Sequence, residues 1–595
     1  MQSPTSTGLK RYLPAIGTPA YHLMLSAVAI FILGPLGGIS AAFMNFSIGF
    51  FVGGQVLAGI LGSAVTLPYG PEGKHGANYM QTMAASVAGM CGMAVLIQAR
   101  HWLGLPEIPG WQLAVFYGCI GMFGGGIGML YTPVLVDRMQ LSFPSGFAVA
   151  NILRALTDPS LLRRSVAKLG GGMAIGYGVG LSTLKVAALG ATGLSASTVG
   201  AGMIVGARIA VPALVVALIG HFVQPYLVTI GWLHAGEPFR KIGFIIALGT
   251  ILGAALIDIV LILHEAFQRF RAKASVPVEP VEDWKRVNTW KLVLWTVVWG
   301  AAVVIAGHVI IGEPLRFLLV AVGLCFLFVL VNGISLGISD WNPISSAFVL
   351  TVFILAAMGL TSAGTGLMCA SILLIACSVG GDMQQDRSTG WRLGTNRVTQ
   401  FRYQMIGIIF GAIFAVVLAN VFLKAYPVLK LDQFGHSIEG SQWQSAMTYK
   451  FVGALRGITE SQPHVITALW LGISIGLATE VIRKLVKRSR RYQAWSQASA
   501  TGKTTDFLFD AVVMPSPYAS SFGGFVEIVT VLWWTGGGVF GSLFNVFSAR
   551  RKSAADAEAL PADMSTMSLS GGGLIAGDSL AALSVGVYGL LSTVL

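Results

Sequence analysis

Charge is what this chain has least of. Asp, Glu, Lys and Arg together make up 11% of its 595 residues, against about 25% in a soluble globular protein. With 54% hydrophobic residues and a mean hydropathy of +0.74, too little polar surface remains to cover a soluble fold. Apolar runs of 18 or more residues, each able to cross roughly 30 Å of hydrocarbon as a helix, recur from Tyr21 to the C-terminus. The chain reads as an all-α polytopic membrane protein.

Cysteine is scarce as well. Cys91, Cys119, Cys325, Cys369 and Cys377 all sit inside apolar runs without a CxxC pair, which excludes a disulfide framework and gives a zinc site no support. HExxH and the P-loop GxxxxGK[ST] are absent. GISLG (333–337) and GISIG (472–476) match the nucleophile-elbow string, yet both lie in helical runs rather than at a strand-to-helix turn. The histidines are scattered singly, a poor metal constellation. No enzyme chemistry and no cofactor is implied. The first twenty residues lack a short apolar core followed by a cleavage site, so Tyr21 onward reads as a retained first span.

Basic charge is present, at a net +13, but its densest cluster, RKLVKRSRR (483–491), directly follows an apolar run. That is the pattern of a cytoplasmic loop, not of a nucleic-acid site. Glycine is abundant at 75 residues, and tracts such as GMFGGGIG (121–128) and GGGMAIGYGVG (170–180) supply the small faces that let helices approach in lipid.

Taken in order, a cytoplasmic segment (1–20) precedes a first membrane repeat (21–264), a basic linker (265–291), an extra span (292–311) and a second repeat (312–595). The runs at 199–236 and 507–547 each have the length of two crossings. Local strings recur in order at an offset of about 286 to 295: GGIS (37–40) with NGIS (332–335), MAASVAG (83–89) with IACSVGG (375–381), YGCIGM (117–122) with YQMIGI (403–408), and PVLVD (133–137) with PVLKLD (427–432). An internal duplication follows. Placing the basic loops 137–168, 265–291, 381–402, 483–505 and 548–570 inside puts the N-terminus in the cytoplasm and gives the halves opposite topology. About 15–17 membrane helices in two inverted halves, with short re-entrant or broken pieces, are expected, and inverted repeats place a substrate site at their interface.

Polar residues inside spans cost several kcal/mol unless paired or hydrated. Asn78, Gln81 and Ser86 in the third span, with Ser378 and Asp382 at the equivalent string of the second half, bring polar groups toward one region. Lys185 and Arg208 interrupt apolar sequence, as do Asp258, Glu527 and Asp578 later. Arg208 and Glu527 occupy roughly equivalent places, so an ion pair between them is expected. LSFPSG (141–146) sets Pro144 and Ser145 at the mouth of a short helix, whose free N–H groups favour an anion.

The stretch GDMQQDRSTGWRLGTNRVTQ (381–400) is the most polar interruption. It holds Asp382, Gln385 and Asp386 nearest the span, while Arg387, Arg392 and Arg397 are expected to lie among headgroups or in the cytoplasmic loop. This tract resembles the GDxxQDxxTGxxLG segment of the oligopeptide transporter superfamily, which includes the yellow stripe-like branch. GANYMQTMAAS (76–86), LSFPSGFAVANIL (141–153), GARIAVP (206–212) and PSPYASSFGGFVE (515–527), with Tyr518 and Glu527, resemble further segments of the same family. The NPGPF and KIPPR tracts of its eukaryotic peptide branch are missing.

The resemblance implies a proton-coupled secondary transporter in a cell membrane, with small peptides or amino-acid-like metal chelates as substrates. A carboxylate-bearing substrate would meet Lys185, Arg208 or the Pro144 helix start, and Glu527, Asp382 or Asp386 would take its ammonium or the proton. A passive channel for small polar solutes, or a transporter of an unrelated small metabolite, is the competing expectation. The implied partners are a small-molecule substrate, protons and the lipid bilayer.

Overall fold

The computed structural model describes residues 13–47, 54–157, 159–271, 282–339, 342–432, 445–456, 463–498, 500–525, 528–551 and 566–594. The helices used below are α1 (Gly34–Ser47), α2 (Gly54–Thr66), α3 (Gly73–Cys91), α4 (Gly110–Thr132), α5 (Pro144–Thr157), α6 (Pro159–Lys185), α7 (Ala196–Val205), α8 (Ala207–Thr229) and α9 (Arg240–Arg271). They continue with α10 (Thr289–Ile305), α11 (Leu315–Ser339), α12 (Ile344–Ala357), α13 (Ala363–Leu393), α14 (Arg397–Ala425), α15 (Ala446–Arg456), α16 (Pro463–Arg488), α17 (Pro517–Phe525), α18 (Ile528–Arg551) and α19 (Thr566–Val594). Among the described residues there is no strand, and nine helices are long and apolar enough to cross a membrane. In hydrocarbon only a helix satisfies its own backbone groups, which is why so apolar a chain resolves into helices.

Local chemistry sets the ends. Ser362 caps α13 by accepting from the Thr365 N–H at 3.3 Å, and Asn396 caps α14 through the Thr399 N–H at 2.9 Å. Between them Gly394, at φ 70°, ends α13 in the left-handed conformation, where glycine carries no Cβ penalty. The polar tract at 381–400 is therefore not a loop from Gly381 onward. Through Leu393 it forms the last turns of a 31-residue helix, and only residues 394–396 connect the helices.

Residues 199–236 do not make two crossings. Gly206, at φ 82°, breaks the run into α7 and α8, and the freed Ala207 N–H donates to Ser542 Oγ at 2.8 Å. At 10 residues α7 is too short to span.

Helices α3 and α13 form the centre. Helix α3 packs against α1, α2 and α14, and α13 packs against α11, α12 and α4, with α3 and α13 also touching each other. Two outer pairs flank them, α6 with α19 and α9 with α16. Each closes on facing glycines: Gly172 and Gly176 lie against Gly573 and Gly577, and Gly249 and Gly253 against Gly472 and Gly476. A Cβ at any of these eight positions would meet backbone at 2.0–2.5 Å, so the helices approach as closely as backbone allows. Further out, α7 packs on α18 and α19, and α17 on α8 and α9.

Candidate functional site

The polar residues of α3, α13 and α14 meet in one buried seam. On α3, Asn78, Gln81 and Thr82 share a face through i, i+3 and i+4 spacing, and on α14 Gln400 and Gln404 do the same. All five are fully buried, as are Asp386 and Arg387 of α13. Successive helical residues point about 100° apart, so Asp386 turns to α3 and Arg387 to α14.

A ring of hydrogen bonds runs round the seam. Asn78 Nδ2 donates to Gln81 Oε1 at 2.9 Å, and Gln81 Nε2 donates to Asp386 Oδ1 at 2.6 Å. Gln400 Nε2 donates to Thr82 Oγ1 at 2.9 Å and to the Asp386 carbonyl at 2.8 Å. Gly390 closes the ring: a Cβ there would lie 2.6 Å from Gln400 Oε1 and 3.5 Å from Asn78 Oδ1. Arg387 Nη2 reaches Gln404 Oε1 at 3.4 Å and Met383 Sδ at 3.1 Å.

Part of this polar capacity has no hydrogen-bond partner among the described residues. On the acceptor side stand Asp386 Oδ2, Asn78 Oδ1 and Gln400 Oε1, and on the donor side Arg387 Nε and Nη1 and Gln404 Nε2. Buried polar atoms are nearly always partnered. Three acceptors and three donors are left over in this one seam.

The short helix α5 is stapled beside it. The Phe143 N–H and Ser142 Oγ both donate to the Gly337 carbonyl of α11, at 2.8 and 2.9 Å. Thr389 Oγ1 donates to the Gly146 carbonyl at 3.0 Å, and Arg392 Nη2 to the Ser142 carbonyl at 3.1 Å. Pro144 starts α5 as expected, with Ser145 buried behind it. A Cβ on Gly146 would strike the Gln385 carbonyl at 2.7 Å, which places Gln385 at this junction.

Ser86 lies one turn below Thr82 and donates to its carbonyl at 2.8 Å. Asp382 faces Gly89 of α3, where a Cβ would come within 2.7 Å of its carboxylate, and Ser378 is half-buried one turn earlier. Thus Asn78, Gln81, Ser86, Pro144, Ser145, Ser378, Asp382, Gln385 and Asp386 gather along α13.

The remaining candidates lie elsewhere. Lys185 is exposed at the C-terminal end of α6, 5.8 Å over the Tyr588 ring, where a cation suits the helix dipole. The Glu527 partner expected for Arg208 is not among the described residues, and those that Arg208 does bind are aspartates. Its guanidinium binds Asp506 at 3.0 Å and Asp510 at 2.8 Å, in a cluster that Lys487 and Arg483 join from α16. Glu527 and the Tyr518 side chain lie outside the described residues, as does the side chain of Asp258. Asp578 is accounted for by capping: it accepts from the Ser197 N–H at 2.9 Å and from the Ser195 and Ser197 hydroxyls, which fixes α19 to the start of α7.

Two arginines depart from the sequence expectation. Arg387 and Arg397 are not among headgroups but buried, the latter bound by Asp137 through both carboxylate oxygens. For Arg387 the cause is the unbroken helix α13, which carries it inward; Arg397 opens α14 and is drawn in by its pairing with Asp137. The seam also takes in Thr82, Arg387, Gln400 and Gln404, which the sequence alone does not mark as site residues. A partial signal is there all the same: Gln400 and Gln404 are one turn apart, and Thr82 follows Gln81 directly.

Comparison with known proteins adds two findings. The profile of a family described as OPT oligopeptide transporter protein matches residues 20–587. A curated relative from Oryza sativa subsp. japonica, named a probable metal-nicotianamine transporter YSL12, is 24% identical over 161 residues, which cover 26% of this chain and 22% of the relative. The match thus spans about a fifth of that protein's length.

Proposed function

The chain belongs to the oligopeptide transporter family, and from that premise we propose that it is a proton-coupled secondary transporter moving small peptides or peptide-like metal chelates across a cell membrane. The observation that carries this reading is the seam, where a fully buried carboxylate, Asp386, lies beside a fully buried guanidinium, Arg387, each with unpartnered atoms. Ionised groups at membrane depth are costly, and where they persist they mark ion and substrate pathways. Asp386 is the carboxylate that takes the proton. The name of the rice relative and the missing peptide-branch tracts favour the chelate side of the substrate range.

The same reading includes duplicated, inverted halves with α10 as the extra span and the N-terminus in the cytoplasm. Helix packing supports it. If α1–α9 correspond in order to α11–α19, the pair α3 with α14 maps onto α13 with α4, and α6 with α19 onto α16 with α9. The pair α7 with α19 likewise maps onto α17 with α9. The repeated strings at 83–89 and 375–381 fall on α3 and α13, the two central helices. A seam with no exposed polar atom weighs against a passive channel, which needs a continuous wet stripe.

The test is uptake into proteoliposomes of a labelled panel of short peptides and amino-acid metal chelates, with and without an imposed pH gradient. Accumulation that rises with the inward proton gradient is expected. Uptake indifferent to the gradient sinks proton coupling, and unitary currents under voltage clamp would replace the transporter with a channel.

A further inference from the structure

We infer that Arg387 is the anchor for a substrate carboxylate, and that this carboxylate and the proton on Asp386 enter together because only that combination keeps the buried seam electrically neutral. This rests on the transport reading above and adds its coupling rule and substrate chemistry.

The ground lies in the two neighbouring side chains. Asp386 and Arg387 are both fully buried, on a helix covered by α3, α4, α5, α11, α12 and α14. With the site empty, an ionised Asp386 balances Arg387. If Asp386 alone takes a proton, one positive charge is left uncompensated; if a carboxylate alone binds Arg387, one negative charge is. Either half-loaded state places a net charge where the surroundings cannot solvate it. With both bound, the charges cancel again, so the empty and doubly loaded seams are the two states that can move across the barrier. The proton comes from the acidic side onto Asp386 and leaves on the opposite side as the carboxylate dissociates.

The unpartnered atoms fit this use. Arg387 Nε and Nη1 are unpartnered donors on the two edges that meet at Nη2, which Gln404 and Met383 engage, so a carboxylate can accept a charge-assisted hydrogen bond from either one. Gln404, whose Oε1 meets Arg387 Nη2, adds a third unpartnered donor in its Nε2. Asn78 Oδ1 and Gln400 Oε1 give the ring acceptors for the O–H that protonation places on Asp386.

The other titratable groups facing the pair do not supply the compensation. From α14, Arg397 is held by Asp137 and Tyr403 is stacked on Tyr79 of α3 with ring centroids 5.1 Å apart. His75 of α3 is 3.1 Å from Thr395 Oγ1, beyond the end of α13. Arg154 of α5 binds the Arg392 carbonyl, and Asp382 lies a turn away against Gly89.

The experiment uses the full-length protein in proteoliposomes, with labelled N-acetyl-trialanine, whose one charge is its carboxylate, against its carboxamide, and with labelled trialanine and the nickel(II)–histidine complex as controls for transport itself. Under an inward proton gradient the amide should be taken up about ten- to hundredfold less well than the acid, the cost of losing a hydrogen-bonded charge. Asp386→Asn, which mimics the protonated form, should keep exchange of internal for external probe while losing all response to the gradient. Arg387→Gln should lose the preference for acid over amide, and Arg387→Lys, which keeps the charge, should retain it; the second variant separates lost charge from lost folding. Equal uptake of acid and amide in a protein that still responds to the gradient overturns this inference and leaves the transport reading standing. Gradient-driven accumulation by Asp386→Asn overturns this inference together with the assignment of the proton to Asp386, and leaves only proton-coupled transport standing. No uptake of any probe under any condition overturns both the inference and the transport reading.

Discussion

Gln98 shows how much a single buried amide can organise. It is fully buried, its Nε2 donates to the Leu429 carbonyl and to Ser445 Oγ, both at 2.9 Å, and its Oε1 accepts from Thr448 Oγ1 at 2.6 Å. Through these bonds the short helix α15 is fixed to the bundle. Gln98→Leu removes three buried hydrogen bonds, although Leu429, Ser445 and Thr448 keep contacts to Trp102 Nε1 and to the Phe46 and Val95 carbonyls, and we expect a loss of about 1–3 kcal/mol, read as a lower thermal unfolding midpoint in detergent. Nothing in the string MAVLIQAR marks this residue beyond its being polar in an apolar run. The same limit applies to Arg387. Sequence supplies its charge but not the depth at which the chain carries it, and a run of Asp, Gln and Arg reads as a loop when counted by polarity alone. One contrary sign was present, since no proline falls between Pro343 and Pro427 to end a helix. Asp386 and Gln81 were legible from the family tract and from span position. Their hydrogen bond was not, because it joins residues 305 positions apart.

At the scale of elements, the two outer pairs are held by what their glycines lack. Gly577→Val on α19 would drive a side chain into the Met173 carbonyl, and Gly253→Val on α9 into that of Ile473; the Cβ atoms alone would approach to 2.1 and 2.2 Å. Each should destabilise by about 1–3 kcal/mol or more. If the halves are duplicated, the two variants should have similar effects, checked by thermal unfolding side by side. The ionic cluster at the start of α8 makes a different forecast. Burial would raise the Asp506 carboxyl, but hydrogen bonds from Lys487, Tyr492 and Arg208 outweigh it and pull its pKa down to about 2. A depressed folded value means that the stabilisation is complete above the unfolded value of about 3.9 and fades as pH falls from there toward 2. Stability measured across that window should drop less steeply in Asp506→Asn. The break between α7 and α8 is not legible in the sequence, because hydrophobic length does not reveal a glycine in the left-handed region. The repeated strings were readable, since they depend only on order and offset.

For the whole molecule, the interleaving of α6 with α19 and α9 with α16 means that neither half covers its own glycine faces. A chain cut within the linker, into 1–276 and 277–595, should give fragments that are degraded when expressed singly and that copurify, with uptake restored, when expressed together. Recovery of a stable, monodisperse single half would contradict this. Helix α13 carries a further consequence. In its most apolar window 78% of residues are buried within the protein, against 28% in α8 and 22% in α16. The rim helices wear the solvent of the bilayer and the central helix wears almost none of it. Thinner or thicker membranes should therefore tilt and strain the rim while the proton-binding seam keeps its geometry, so that acyl-chain length changes how fast the protein turns over and leaves its pH dependence where it was.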